Sequence, residues 1–153
     1  MTRRCFHYSS IGLALLWGAS GGSVVRGQSK PSFEAGAAKR IITPDPLLPI
    51  SGGMGIPSPA KSKLGELTAR AMVFQAGSET VAVVSVDLLG FPSVLGDRAR
   101  ALVPRLAPES ILIGSTHTHS APDCYAYPDG KGGHTGSLEY MQFVSDQVAA
   151  ALN

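Results

Sequence analysis

Residues 67–91 read LTARAMVFQAGSETVAVVSVDLLGF, two apolar runs separated by Gly77 and Ser78. The first run predicts a strand from about Leu67 to Gln75. The second, rich in β-branched residues, predicts another, and the short glycine turn between them makes the pair a hairpin. Val81 to Val86 is almost uninterrupted in its apolar character, which suits a strand buried on both faces. Helices must then cover the sheet. Ser93 to Leu106 supplies one, with Val94, Leu95, Ala99, Leu102 and Leu106 roughly on one stripe, although Gly96 weakens it and Pro104 disturbs its last turn. Ser110 to Ser115 is a third strand. A final helix begins near Ser137, a good N-cap with Glu139 in the first turn, and carries Met141, Val144, Val148 and Leu152 at helical spacing. Upstream, Arg40 to Thr43 is the first extended candidate. Strand, strand, helix, strand, helix is an α/β, mixed α+β pattern, a sheet flanked by helices.

The chain has 153 residues, 44% hydrophobic and 16% charged, a composition that suits one modest core. Its first residues are set apart from the fold. Thr2, Arg3 and Arg4 form a basic head, Ile11 to Ala19 is an apolar run far too short to span a bilayer, and Val25-Arg26-Gly27 suits a signal peptidase. Residues 1–27 therefore read as a signal peptide cleaved before Gln28, and "TRRCF" is similar to a twin-arginine export signal. The expected destination is periplasmic or secreted. Residues 28–34 read as a linker and 35–153 as the folded part. Thirteen basic and 11 acidic residues give a formal charge of +2. Loss of Arg3, Arg4 and Arg26 leaves ten basic residues against 11 acidic, a charge of −1. No Lys/Arg stripe remains, which excludes a nucleic-acid footprint and an electrostatic membrane anchor. Cys5 leaves with the signal, so Cys124 has no internal disulfide partner; it is either a thiolate ligand or, more ordinarily, a small packed side chain.

Two loops flank the strands. Pro44, Pro46 and Pro49 forbid a regular helix, and SGGMG at 51–55, followed by Pro57 and Pro59, reads as a long loop that either covers a site or is merely surface chain. The second contains APDCYAYPDGKGGHTG, residues 121–136, with Asp123, Asp129 and His134. Its prolines and glycines suit a shaped loop over a site, and a lone loop histidine such as His134 is more often solvated than ligating.

Immediately after the third strand comes GSTHTHSAPD, residues 114–123. In an extended segment His117 and His119 would point to the same side, because side chains alternate with period two. Two imidazoles on one point make a natural metal site, zinc being the commonest partner. Strand ends in open α/β sheets are where such sites lie. Asp87 ends the preceding apolar strand at the same edge and is a candidate for orienting a ligating histidine; loop or helix capping is the other reading.

GAAKRIITP, SGGMG, LTARAMVF, VAVVSVDLLGF and ILIGSTHTHSAPD, in this order, resemble the N-terminal part of the catalytic domain of the neutral/alkaline non-lysosomal ceramidases, from about Ala35 to Asn153. The resemblance implies a fragment of a larger catalytic domain that holds one zinc ion, with His117 as a ligand and His119 catalytic, close to metal and substrate. It places Asp87 at an acidic position of the family. The implied reaction is hydrolysis of a lipid amide, freeing a fatty acid from a sphingoid base. Gly53, Met54 and Gly55 of the glycine loop, and Arg70, are candidates for the substrate pocket by location. The family's further histidine, glutamate and tyrosine ligands lie well downstream of the matched region, so this chain reads as a truncated piece. After THTHS the family continues with Ser, Gly-Pro and glycines, whereas this chain has SAPDCYAYPDG, which implies a different pocket wall.

Other readings stay open. A non-catalytic secreted module would keep the strand and loop for packing or binding around an incomplete metal site. Metallophosphoesterases also carry HTHS, but at the first strand of their barrel, whereas here two strands and a helix precede it. A metallo-β-lactamase site needs H-x-H-x-D-H, and Ala121 stands where the aspartate belongs.

Overall fold

The computed structural model describes residues 32–54, 57 and 59–153. The expected signal peptide at 1–27, the first part of the linker and Gly55 lie outside the described residues. Four strands and two helices follow in the order β1 (Phe33–Ile41), β2 (Thr68–Ala76), β3 (Glu79–Val86), α1 (Ser93–Ala101), β4 (Ile111–Ser115) and α2 (Leu138–Leu152), with a short 3₁₀ turn at Pro108–Ser110 before β4. The strands form one mixed sheet in the order β1-β2-β3-β4. β1 and β2, and β2 and β3, pair antiparallel, whereas β3 and β4 are parallel. A parallel neighbour needs a crossover, and α1 provides it.

The hairpin forms where the sequence puts it. Gly77, with φ +60°, takes the left-handed conformation that closes the β2–β3 turn, and Ala76 faces Glu79 across it. β1 is longer than the four residues the sequence suggests and begins inside the stretch read as linker. Phe33 to Lys39 is poor in strand-forming residues; it is extended because it pairs along the whole of β2, from Phe33 opposite Ala76 to Ile41 opposite Thr68.

Period-two alternation divides the sheet into two unlike faces. Ala69 and Ala71 of β2, and Ala82, Val84 and Val86 of β3, point inward and are buried. Their small volume lets the helices approach the sheet closely. Val144 and Val148 of α2 and Leu95 and Ala99 of α1 complete one core with Ile42, Leu88 and Val103. Ser137 caps α2, its hydroxyl accepting from the Tyr140 amide, and the expected stripe Met141, Val144, Val148 and Leu152 is wholly buried. At the far end of α2 the Arg40 guanidinium donates to the Ala150 carbonyl, tying the edge strand to the helix.

The outer face corrects the expectation that β3 is covered on both sides. Val81 is 50% exposed and Val83 44% exposed. Register places Met72, Val83 and Leu112 abreast on that face, and all three are exposed. An unbroken apolar run cannot say whether its second face is covered, because it would read the same in either case. α1 also ends earlier than expected, at Ala101, three residues before Pro104, and its buried residues are Leu95, Gly96 and Ala99. Val94 and Leu102, assigned to the stripe, are exposed.

Among the described residues, Ser115 Oγ at the end of β4 is a buried side-chain oxygen with no hydrogen-bond partner. An unsatisfied buried hydroxyl costs about 1–3 kcal/mol, so Ser115→Ala should stabilise the fold by about 1 kcal/mol. Urea unfolding measures this directly. A loss of stability would mean that the hydroxyl has a partner.

Candidate functional site

β3 and β4 end side by side, and the chain that leaves each forms the site. The Thr116 amide donates to the Val86 carbonyl, extending the parallel pairing one residue beyond β4. His117 then adopts φ 59°, left-handed for a non-glycine residue, so the segment is not extended at this point. The two histidines therefore meet by a turn and not by strand alternation. Their ring centroids lie 5.2 Å apart with planes at 77°, an edge-on contact.

His117 Nδ1 is 2.8 Å from the Leu89 carbonyl oxygen. A carbonyl only accepts, so Nδ1 carries the proton, and a neutral ring keeps the Nε2 lone pair for a ligand. Leu89 lies two residues past Asp87 in the segment leaving β3. Asp87 itself is directed elsewhere: its Oδ2 accepts from the Thr68 amide at 3.0 Å, the Thr68 hydroxyl at 2.7 Å and the Arg70 guanidinium at 3.2 Å. It joins the ends of β2 and β3. Arg70 is engaged there and does not line the cavity at the histidines.

That cavity has a volume of about 590 Å³. His117 and His119 form one side with Leu89, and Gly52, Gly53 and Met54 of the glycine loop also line it. The loop is held against the histidines by the Ser51 amide, which donates to the Ala121 carbonyl at 2.8 Å, beside an isolated bridge between Ile50 and Pro122. Gly52, with φ +101°, packs directly on His119: a Cβ there would lie 2.8 Å from both Cγ and Nδ1 of the ring. The requirement for glycine thus falls one residue before the Gly53 that the sequence singles out.

The opposite wall is Tyr127, Pro128 and Thr135, from the loop that follows the histidines. Asp123 organises it. Only 3% exposed, its carboxylate accepts from the Tyr125 amide at 2.7 Å, the Tyr127 amide at 3.0 Å and the Thr135 hydroxyl at 2.6 Å. The Thr135 amide donates to the Tyr127 carbonyl, and Pro128 bridges His134, so the loop is a closed, pinned structure. At its tip Asp129 accepts from the Lys131 and Gly133 amides, which hold its carboxyl below the usual range. Sequence reading named Asp123 without its role and did not name Gly52, Leu89, Tyr127 or Thr135. An aspartate between two prolines followed by aromatic residues is a recognisable loop-pinning signal; a backbone carbonyl such as that of Leu89 leaves no signal at all.

Cys124 is packed, not ligating. It is 4% exposed within the core, and burial, reinforced by neighbouring Asp123, pushes its thiol up to about 12. Burial likewise raises Tyr140, whose hydroxyl donates to the Ile42 carbonyl at 3.0 Å.

As donors, the two imidazoles suit a zinc ion: they are adjacent, and the His117 Nδ1 contact with the Leu89 carbonyl leaves Nε2 for coordination. A catalytic zinc takes three protein ligands. Among the described residues no group of three or more His, Cys, Asp or Glu side chains converges on one point. No helix of the described residues is long and apolar enough to cross a membrane.

No family model and no curated protein matches the sequence. Solved structures do match. The crystal structure of neutral ceramidase from Pseudomonas aeruginosa superposes with a TM-score of 0.67 at 16% identity, over 82% of this chain and 21% of that one. A ceramidase complexed with C2 superposes with a TM-score of 0.59 at 15% identity, over 81% of this chain and again 21% of the other. The fold is therefore shared with neutral ceramidase over most of the described chain, as the motif resemblance implies. This chain spans about a fifth of the length of those structures.

Proposed function

We propose that this chain is the N-terminal portion of an exported zinc-dependent amidohydrolase of ceramidase type, acting on the amide of an N-acyl sphingoid base or a similar lipid amide. The observation that carries the reading is His117: its Nδ1 is committed to the Leu89 carbonyl, its Nε2 has no hydrogen-bond partner among the described residues, and His119 stands beside it in a cavity at the strand ends. A shared fold with neutral ceramidase and the THTHS motif after β4 support it.

Each residue has a part that follows from its place. His117 would hold the ion through Nε2, its Nδ1 being held by the Leu89 carbonyl. His119, held edge-on to His117 and backed by Gly52, sits where it can hold or pass a proton at the reacting amide. Ile50, Met54 and Leu89 give the cavity an apolar side suited to an acyl chain, with Tyr127 and Pro128 opposite. When bound, zinc lowers the pKa of a coordinated water to about 7 and polarises the scissile carbonyl. The remaining ligands come from outside residues 32–153.

Cobalt(II), a spectroscopic substitute for zinc, tests the reading in the protein purified from its own cells at its native length. Binding with visible bands of imidazole coordination is expected, together with a loss of about tenfold or more in affinity in His117→Ala. Wild-type protein that takes up no metal, or an affinity that His117→Ala leaves unchanged, sinks the zinc reading and favours a non-catalytic module.

A further inference from the structure

The loop from Asp123 to Thr135 does more than wall the cavity. Tyr125, half-exposed, sets the hydroxyl end of its ring against Gly90: a Cβ on Gly90 would sit 1.8 Å from the Tyr125 hydroxyl oxygen, 2.2 Å from Cζ and 2.5 Å from Cε2. Gly90 is buried and follows Leu89, whose carbonyl accepts from His117 Nδ1. The ring therefore packs on the glycine end of the peptide that fixes the tautomer and orientation of His117. Two contacts hold the ring. The Tyr125 amide donates to buried Asp123, and the Tyr127 ring lies tilted against it, at a centroid distance of 5.2 Å and an angle of 39°.

We propose that Tyr125, seated by Asp123, is a positioning residue for His117: it clamps the Leu89–Gly90 peptide so that the carbonyl stays within hydrogen-bond reach of Nδ1 and Nε2 stays directed at the ligand. The proposal rests on the reading of His117 as a metal ligand. Gly90 has no side chain to resist movement of this peptide, and glycine lets the backbone sample more conformations than any other residue. A bulky ring seated against it removes that freedom. The partner that orients a ligating histidine commonly affects metal affinity about 10–100-fold when lost, and here that partner is a main-chain carbonyl that only packing can hold in place.

The experiment uses the protein at its native length, as its own cells make it, in two states. In metal-free protein, the imidazole nitrogen shifts of His117 report its tautomer by NMR; in the second, cobalt(II) alone is titrated and followed by its visible bands. Tyr125→Ala is expected to mix the His117 tautomers and to weaken cobalt binding about tenfold, while core amide resonances stay in place because the ring is half-exposed. Tyr125→Phe keeps the ring over Gly90 and should restore both. Gly90→Ala, which drives the ring off, should repeat the loss from the other side. An unchanged tautomer and affinity in Tyr125→Ala overturns the proposal. If wild-type protein binds no cobalt, the metal reading fails, and the tautomer measurement alone still decides whether Tyr125 positions His117.

Discussion

Gly52→Ala should cost the protein about 2–4 kcal/mol in urea unfolding, whereas Gly53→Ala, one residue on, should change almost nothing. The difference is conformational and steric. Gly52 has φ +101°, a region open to glycine and strained for alanine by about 1–3 kcal/mol. A Cβ there would also stand 2.8 Å from Cγ and Nδ1 of His119, closer than real Cβ contacts allow, and the stiff imidazole can yield only by leaving its place beside His117. Gly53 has no such φ, and a Cβ built on it meets nothing within 4 Å. The loop can relieve part of the strain by detaching from Ala121, so two readings are needed: the unfolding midpoint and the ring-proton shifts of His119. Displacement of the ring with little global loss would mean that the loop opens locally. Equal effects in the two variants would contradict the placement of Gly52 against the histidine.

That contrast also marks where the sequence is readable and where it falls silent. The β2–β3 hairpin is legible because alternation, β-branching and the Gly77 turn agree. α2 is legible because Ser137 and the Met141, Val144, Val148, Leu152 spacing agree on its start and its buried face. The position of the histidines at the strand ends follows from those elements. What stays hidden depends on partners distant in the chain. β1 is a strand through pairing along β2, against the preferences of its glycine and alanines. The exposed outer side of β3 looks in sequence like a buried one. At the site, the left-handed turn at His117 breaks the alternation that extended chain would give, and yet the rings still meet. The orienting oxygen comes from Leu89, where the side chain says nothing about the carbonyl. Asp87 shows the opposite problem: a carboxylate in the right neighbourhood is spent on Thr68 and Arg70, and only coordinates reveal it.

The fold should unfold in alkali more steeply than a protein of this size ordinarily does, and the cause is two buried acids with no use for their charge. Cys124 keeps its proton up to about 12 when folded, against 9.0 for a free thiol, because burial and then the neighbouring Asp123 disfavour the thiolate. Between those values the unfolded chain holds fewer protons than the native one, so unfolding is favoured as pH rises. Below pH 9 the thiol is protonated in both states and contributes no pH dependence. Above it, stability falls by about 1.4 kcal/mol per pH unit for this one group. Tyr140 is raised in the same sense, first by burial and then by Cys124, and joins above the ordinary tyrosine value of 10.0. From pH 9 upward the two acids therefore lower stability in the same sense, Cys124 first and Tyr140 after it. Urea midpoints measured from pH 7 to 11 in a Cys5→Ser background should be flat to about pH 9 and then drop. In Cys124→Ala the drop should begin a unit later and be shallower, since Tyr140 alone remains. The same burial predicts that a disulfide reagent at pH 8 labels Cys124 only at the rate of unfolding. A thiol that reacts freely in the native protein, or a midpoint that holds steady to pH 11, would place Cys124 outside the core and return it to the candidates for a metal ligand.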